Sequence, residues 1–352
     1  MIEALRGKIQ TVTGPIEPED LGVTLIHEHL YFDLTCYYQP PQDEKGKRLT
    51  DQELSLSTLG WVRNNTMSSL PNLRSYDDDV IASEVELYMD LGGRAMVDCT
   101  INGIEPNPAG LRRISERTGL HVIAGSGYYI YPSHPPDMDS KTIEDIQEEI
   151  VGDITRGGHG TDVLSGLIGE LGASWPLHPD EEKTFRAGAR AHLETGAPIS
   201  VHPGHDPDSP LSLIELLKEE GVQPDRVIMS HIENRYREDL DRYKRLADTG
   251  CMLGFDTYGR EMYFAGAGRQ HPPDDLRNHI IATLVADGYA GSVTAAQDCC
   301  FQCDLVTYGG NGYGHILENI VPRLKNLGVD EKALHQIFVE NPKRVLTFRD
   351  PS

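Results

Sequence analysis

The chain alternates between short apolar runs and longer amphipathic stretches. Eight runs are short, continuous and often β-branched: 22–29 (GVTLIHEH), 95–100 (AMVDCT), 121–129 (HVIAGSGYY), 165–172 (SGLIGELG), 197–202 (APISVH), 226–231 (RVIMSH), 251–256 (CMLGFD) and 292–298 (SVTAAQD). Runs of this kind suit strands buried on both faces of a parallel sheet. Helix-like patterns lie between them at 77–93, 107–119, 139–154, 178–196, 208–221, 237–250 and 273–288, several ending at Gly just before the next run. Acidic residues open the first of these helices and Gly closes it, as the helix dipole and the C-terminal glycine preference require. Eight strand–helix units predict an α/β fold, a (β/α)8 TIM barrel. A doubly wound sheet would give no reason for eight. Residues 6–20 read as a small N-terminal β-hairpin, 31–76 as a long insertion after strand 1, and 333–348 as a final helix and packed tail. Barrel logic places the insertion over the active-site face. The whole chain, 1–352, is expected to form a single domain.

Composition narrows the function classes. There are 32 Lys and Arg against 55 Asp and Glu, a net charge of −23. A field of that sign repels phosphate backbones and anionic lipid, which argues against nucleic-acid or membrane partners. An anionic small molecule would need a local cationic centre, such as a metal. No apolar run approaches the roughly 20 residues of a membrane helix, and the opening MIEALRGKIQTVTG has no apolar core of a secretory signal. Six cysteines, three of them crowded at 299, 300 and 303, make no disulfide framework in a chain this long. A reducing, cytoplasmic setting is the expectation.

The polar residues fall where the apolar runs end. Strand 1 closes on His27-Glu28-His29. Residues two apart on a strand share a face, so both imidazoles point one way and Glu28 the other. Strand 4 carries Glu170 among apolar residues and glycines, where a carboxylate is costly unless paired or coordinated. Strands 5 and 6 end in His202 and His231, and strand 8 in Asp298. Each alone has a bland reading as a cap or a satisfied core residue. Together they put four imidazoles and two carboxylates at the converging C-terminal mouth of a barrel. Neutral imidazole and carboxylate suit Zn, Mn, Fe or Co, and the lack of thiolates argues against a structural zinc. Six ligands are too many for one catalytic ion and suit two ions about 3.5–4 Å apart sharing a bridge.

These motifs resemble the phosphotriesterase family of the amidohydrolase superfamily, and more narrowly its phosphotriesterase-related subgroup. GKIQTVTGPIEPEDLGVTLIHEHL, GLIGELGASWPL, YGGNGYGHILENIVP and ENPKRVLTF carry the likeness, which runs from about residue 7 to 348. It implies that His27, His29 and Asp298 hold a more buried metal and His202 and His231 a more exposed one. Many members bridge the ions with a carboxylated lysine on strand 4. Here no Lys occurs between Lys141 and Lys183, and Glu170 stands at that position, as in the subgroup. The family's phosphotriester hydrolases also carry an acid–histidine relay after strands 6 and 7, where this chain has Asn234 and Thr257. The Arg that lactonases place after strand 7 is absent from that position too.

The expected function is a binuclear metal-dependent hydrolase with two divalent ions, zinc first. A hydroxide bridging the ions is the nucleophile, and Asp298 carries the proton to the leaving group. The substrate implied is a small N-acyl amide, such as an N-acetyl amino sulfonate or amino acid, or a carboxylic ester. A lactonase or phosphotriesterase is the alternative, and a non-catalytic ligand-binding barrel the second. Tyr129, Tyr131 and Arg235 are the candidate substrate contacts. The loops 31–76, 129–138 and 257–275 are expected to set specificity. The Cys300–Cys303 pair reads as packing beneath the strand-8 loop rather than redox or zinc chemistry. The resemblance implies a homodimer or a monomer.

Overall fold

In a computed structural model, which describes residues 2–264 and 269–351, the apolar runs form one eight-stranded parallel sheet. Its strands are β1 (Thr24–Glu28), β2 (Ala95–Asp98), β3 (His121–Ser126), β4 (Leu167–Gly172), β5 (Ile199–His202), β6 (Val227–Met229), β7 (Met252–Phe255) and β8 (Val293–Ala295). They pair in chain order, each with the next, for example Met229 opposite Val201 and Leu253 opposite Val293. The sheet curls into a TIM barrel closed between β8 and β1 by a bond from the Asp298 backbone N–H to the His27 carbonyl, 3.2 Å. Every strand residue of β1 and β2 is buried, as a sheet covered on both faces demands.

The strands are shorter than the apolar runs that announced them. β1 stops at Glu28, β6 at Met229 and β8 at Ala295, so His29, His231 and Asp298 lie on the loops just past the ladder. That is the mouth of the barrel. The helices α1 (Asp78–Asp90), α2 (Pro108–Thr118), α3 (Ile143–Thr155), α4 (Pro179–Thr195), α5 (Ser209–Glu219), α6 (Leu240–Ala247) and α7 (Asp274–Ala286) cover the outside. Their ends follow local chemistry. Asp77 caps the start of α1, Thr142 and Asp145 form a capping box on α3, and Gly119 and Gly196 end α2 and α4 at φ +83° and +75°. None of the described helices is long and apolar enough to cross a membrane.

The N-terminal hairpin pairs Ile9–Thr11 with Gly14–Ile16. The predicted final helix is broken in its middle by a π-helical turn over Gln336–Glu340. The 31–76 insertion has a core of its own. Phe32, Leu34, Val62 and Leu73 pack on Ile101, Ile104, Tyr129, Cys300, Phe301 and Cys303, which ties the insertion to the loops at the mouth. The cysteines lie in apolar packing, all six free of disulfides. Of the expected specificity loop 257–275, residues 265–268 lie outside those described.

Candidate metal centre

Glu170 sits at the centre of the mouth. Its strand can come close because Gly169 precedes it. A Cβ there would stand 2.2 Å from the Ser200 carbonyl oxygen of β5, and φ at Gly169 is +107°. The two oxygens of Glu170 face different partners. Oε1 is 3.5 Å from Nε2 of His27 and 3.5 Å from Nε2 of His29. Oε2 is 3.1 Å from Nδ1 of His202 and 3.3 Å from Nε2 of His231. Asp298 joins the first set, with Oδ1 3.3 Å from His29 Nε2 and 3.8 Å from His27 Nε2. The six residues expected from the sequence are thus brought together, with His27, His29 and Asp298 to one side of the Glu170 carboxylate and His202 and His231 to the other.

Three of the four imidazoles are aimed by what their other nitrogen touches. His231 Nδ1–H donates to Asp256 Oδ1 at 2.8 Å, which leaves Nε2 facing Glu170. Nδ1 of His29 is 2.9 Å from Thr100 Oγ1, and Nδ1 of His27 is 3.0 Å from Ser230 Oγ and 3.4 Å from Asp256 Oδ2. Such outer partners fix tautomer and ring orientation in metal sites. Asp256 was not singled out from the sequence. Its signal was there, an acid closing the strand-7 run as other acids and histidines close theirs. His231 and Asp298 both take left-handed backbone, at φ +55° and +51°. Such conformations cost of order 1–3 kcal/mol and cluster at functional sites.

The donor set fits a divalent cation. His27 Nε2 is buried with no hydrogen-bond partner, although it points at two carboxylate oxygens slightly beyond bonding distance. A buried orphan of this kind wants an electrophile between it and those oxygens. Glu170, Asp256 and Asp298 bring three buried carboxylates, and burial opposes each charge. His27 and His202 nonetheless hold Glu170 well below the usual carboxylate range, and Arg260 and His29 do the same for Asp298. Burial alone would pull His29 and His231 down. The carboxylates outweigh it and push both to about 9, so without a metal the cluster draws in protons instead. His202 is lowered to about 4, with burial stronger than its Glu170 contact. Among the described residues two groups of N and O donors, His27–His29–Asp298 and His27–Glu170–His231, each bring ligand atoms within 4.8 Å of one another.

A cavity of about 280 Å³ opens above these ligands. One wall is apolar, with Leu34, Met67, Ile104 and Phe301. Leu34, Tyr37, Gln39 and Met67 come from the insertion, which covers this face as expected. Tyr129 lines the cavity with its hydroxyl 3.3 Å from His202 Nδ1, and it accepts a hydrogen bond from Tyr37 at 3.0 Å. Burial pushes the Tyr129 phenol well up, so it keeps its proton. Tyr131 is not brought to the cavity. It is 46% exposed, its ring stacks on His178 at 3.5 Å, and its backbone N–H donates to Glu181 Oε1 at 2.8 Å. Arg235 does line the cavity, fastened by bonds from Nε to the Gly204 carbonyl and Nη2 to the Pro203 carbonyl. Asn234 donates to Thr257 at 3.3 Å, so the position of an acid–histidine relay holds a neutral pair. Sequence reasoning missed Arg260, a buried guanidinium that pairs with Asp298. It lies three residues past Thr257, on a loop whose course no periodicity discloses. His205, read from sequence as plain loop, also lines the cavity.

Comparison with known proteins agrees with this architecture. The family model described as "Phosphotriesterase family" matches residues 7–346. The chain is 36% identical over 351 residues to the N-acetyltaurine hydrolase of Xenopus tropicalis, covering 99% of this chain and 100% of that protein. It is 37% identical to a phosphotriesterase-related protein of Nematostella vectensis, covering 97% and 99%. The crystal structure of a resiniferatoxin-binding protein from Rhodobacter sphaeroides superposes with a TM-score of 0.94 at 36% identity, covering 97% of this chain and 96% of that one. A match of this extent, over a barrel whose mouth gathers imidazoles and carboxylates, makes the chain a member of the phosphotriesterase family, a family of metal-dependent hydrolases.

Proposed function

We propose that this chain hydrolyses a small N-acyl amide, such as an N-acetyl amino sulfonate or N-acetyl amino acid, with two divalent ions, zinc foremost, held at the barrel mouth. The observation that carries the reading is the split of the Glu170 carboxylate between two sets of imidazoles. His27, His29, Asp298 and one Glu170 oxygen would hold one ion, and His202, His231 and the other oxygen the second. When bound, such ions supply Lewis-acid activation of water and of the scissile carbonyl.

The chain's own residues do the rest. Water adds across the amide carbonyl, the C–N bond breaks, and a carboxylate and an amine leave. Asp298, kept ionised by Arg260 on Oδ2, accepts a proton from the water and returns it to the departing nitrogen. Tyr129, protonated and beside His202, donates toward the carbonyl oxygen as charge grows there. The apolar wall of the insertion excludes bulk water from the acyl group. Curated relatives named N-acetyltaurine hydrolase support the N-acyl amide, and the Asn234–Thr257 pair weighs against phosphotriesters.

The test is a hydrolysis screen of N-acyl amino sulfonates, N-acyl amino acids, lactones and aryl esters on protein reconstituted with Zn, Mn, Fe or Co, with Glu170→Ala as control. Preferential turnover of an N-acyl amide, lost in the control, is expected. A lactone or phosphotriester turned over orders of magnitude faster than any amide would overturn the reading.

A further inference from the structure

We propose that Arg260 is the receptor for the acidic group of the substrate, a sulfonate or carboxylate joined to the amide nitrogen by a short spacer. The inference rests on the N-acyl amide reading and adds the residue that selects among such amides. A protein with net charge −23 repels small anions, so an anionic substrate needs a built cationic wall. The cavity has one. Arg260, Arg235 and His271 line it. Burial and the charges of Arg260, Arg277 and Arg235 hold His271 well below the usual imidazole range, so it stands there neutral.

Of the two guanidiniums, Arg260 is the one whose bonds leave room for exchange. Arg235 is committed through Nε and Nη2 to two backbone carbonyls. It supplies fixed charge. Arg260 Nη1 pairs with Asp298 Oδ2, Nη2 donates to the thiol sulfur of Cys300 at 2.8 Å, and Nε, 3.7 Å from Asp304, has no hydrogen-bond partner. A thiol is a weak acceptor. An anionic oxygen in its place makes a charge-assisted bond roughly twice as strong as a neutral one. Phe301 supports the guanidinium face at 4.8 Å and keeps the plane oriented. Arg260, Cys300 and Asp298 line the same cavity, so an anion replacing the thiol lies one carboxylate away from the ligand cluster. That closeness is what demands a short spacer.

The experiment has a binding arm and a kinetic arm on the metal-loaded protein. Propane-1-sulfonate, butanoate and the uncharged 1-butanol are titrated calorimetrically into the wild type and into Arg260→Met and Arg260→Lys. In parallel, kcat and KM are measured for N-acetyl-2-aminoethanesulfonate, N-acetyl-3-aminopropanoate and neutral N-propylacetamide. Losing a charge-assisted pair corresponds to about a 30-fold change. Arg260→Met should therefore weaken sulfonate or carboxylate binding about 30-fold and collapse the acid-over-neutral preference in kcat/KM by a similar factor, on top of a loss shared by acid and neutral amides because Asp298 loses its partner. Arg260→Lys should recover part of both. Whichever of the two anions loses more in Arg260→Met identifies the acid group. Anion binding equal in wild type and Arg260→Met, with both folded by circular dichroism, would overturn the proposal. If the wild type cleaves no amide, the functional reading fails while the titrations still decide the subsite.

Discussion

Glu28 holds the turn that presents Asp298. Its Oε1 accepts from the Gln297 backbone N–H at 2.8 Å and its Oε2 from the Cys299 N–H at 2.9 Å, the two residues flanking Asp298. Asp298 itself donates its N–H to the His27 carbonyl. The middle residue of His27-Glu28-His29, pointing away from the metal centre, thus joins the last strand to the first where the barrel closes. Glu28→Gln should break one of the two bonds and set an amide donor against a backbone donor. A loss of about 1–3 kcal/mol in urea unfolding follows, with reduced metal content. An unfolding midpoint and metal content equal to wild type would show that this clamp contributes nothing.

Asp256 aims two imidazoles at once, bonding His231 Nδ1 and standing 3.4 Å from His27 Nδ1. Losing an outer carboxylate of this kind costs about 10–100-fold in metal affinity. Asp256→Asn should show that loss in competition against a chelator, while the fold stays intact by circular dichroism. Unchanged affinity would mean that packing alone orients the rings.

Asp304 gives a pH signature. Burial, with the nearby Asp298, raises its pKa to about 6, against the pull of Arg260. The folded state therefore binds this proton more tightly than the unfolded chain does, whose pKa is the ordinary 3.8. The stabilisation is complete below that value and is lost as pH rises through about 6. At one unit per 1.36 kcal/mol it amounts to at most about 3 kcal/mol. Asp304→Asn lacks the proton, so the stability difference between wild type and variant should shift by that order in favour of the variant between pH 4 and 6. A constant difference across those pH values would contradict the assignment.

Much of the site was legible because barrel strands direct their ends to one place. His27, His29, Glu170, His202, His231 and Asp298 each follow or interrupt an apolar run, and periodicity alone locates such runs. The alternation of side chains also gave the outward direction of Glu28, though not what it would meet, since its partners lie about 270 residues further on. Tyr129 lines the cavity while Tyr131 stacks on His178 outside it, a difference between two tyrosines of one loop that their sequence context does not disclose. Arg260 was missed because its position depends on the path of an irregular loop and on pairing with Asp298, neither of which has a period. The insertion's role followed from topology, but its small core, built partly from the strand-8 cysteines, needed long-range contacts to appear.

The central claim is that one carboxylate, Glu170, is shared by two cations. Metal analysis of the purified, zinc-reconstituted protein beside Glu170→Ala tests it most directly. Two equivalents per chain in the wild type, falling to one or none in the variant, is the predicted result. A single equivalent in the wild type, or two retained without Glu170, would contradict it.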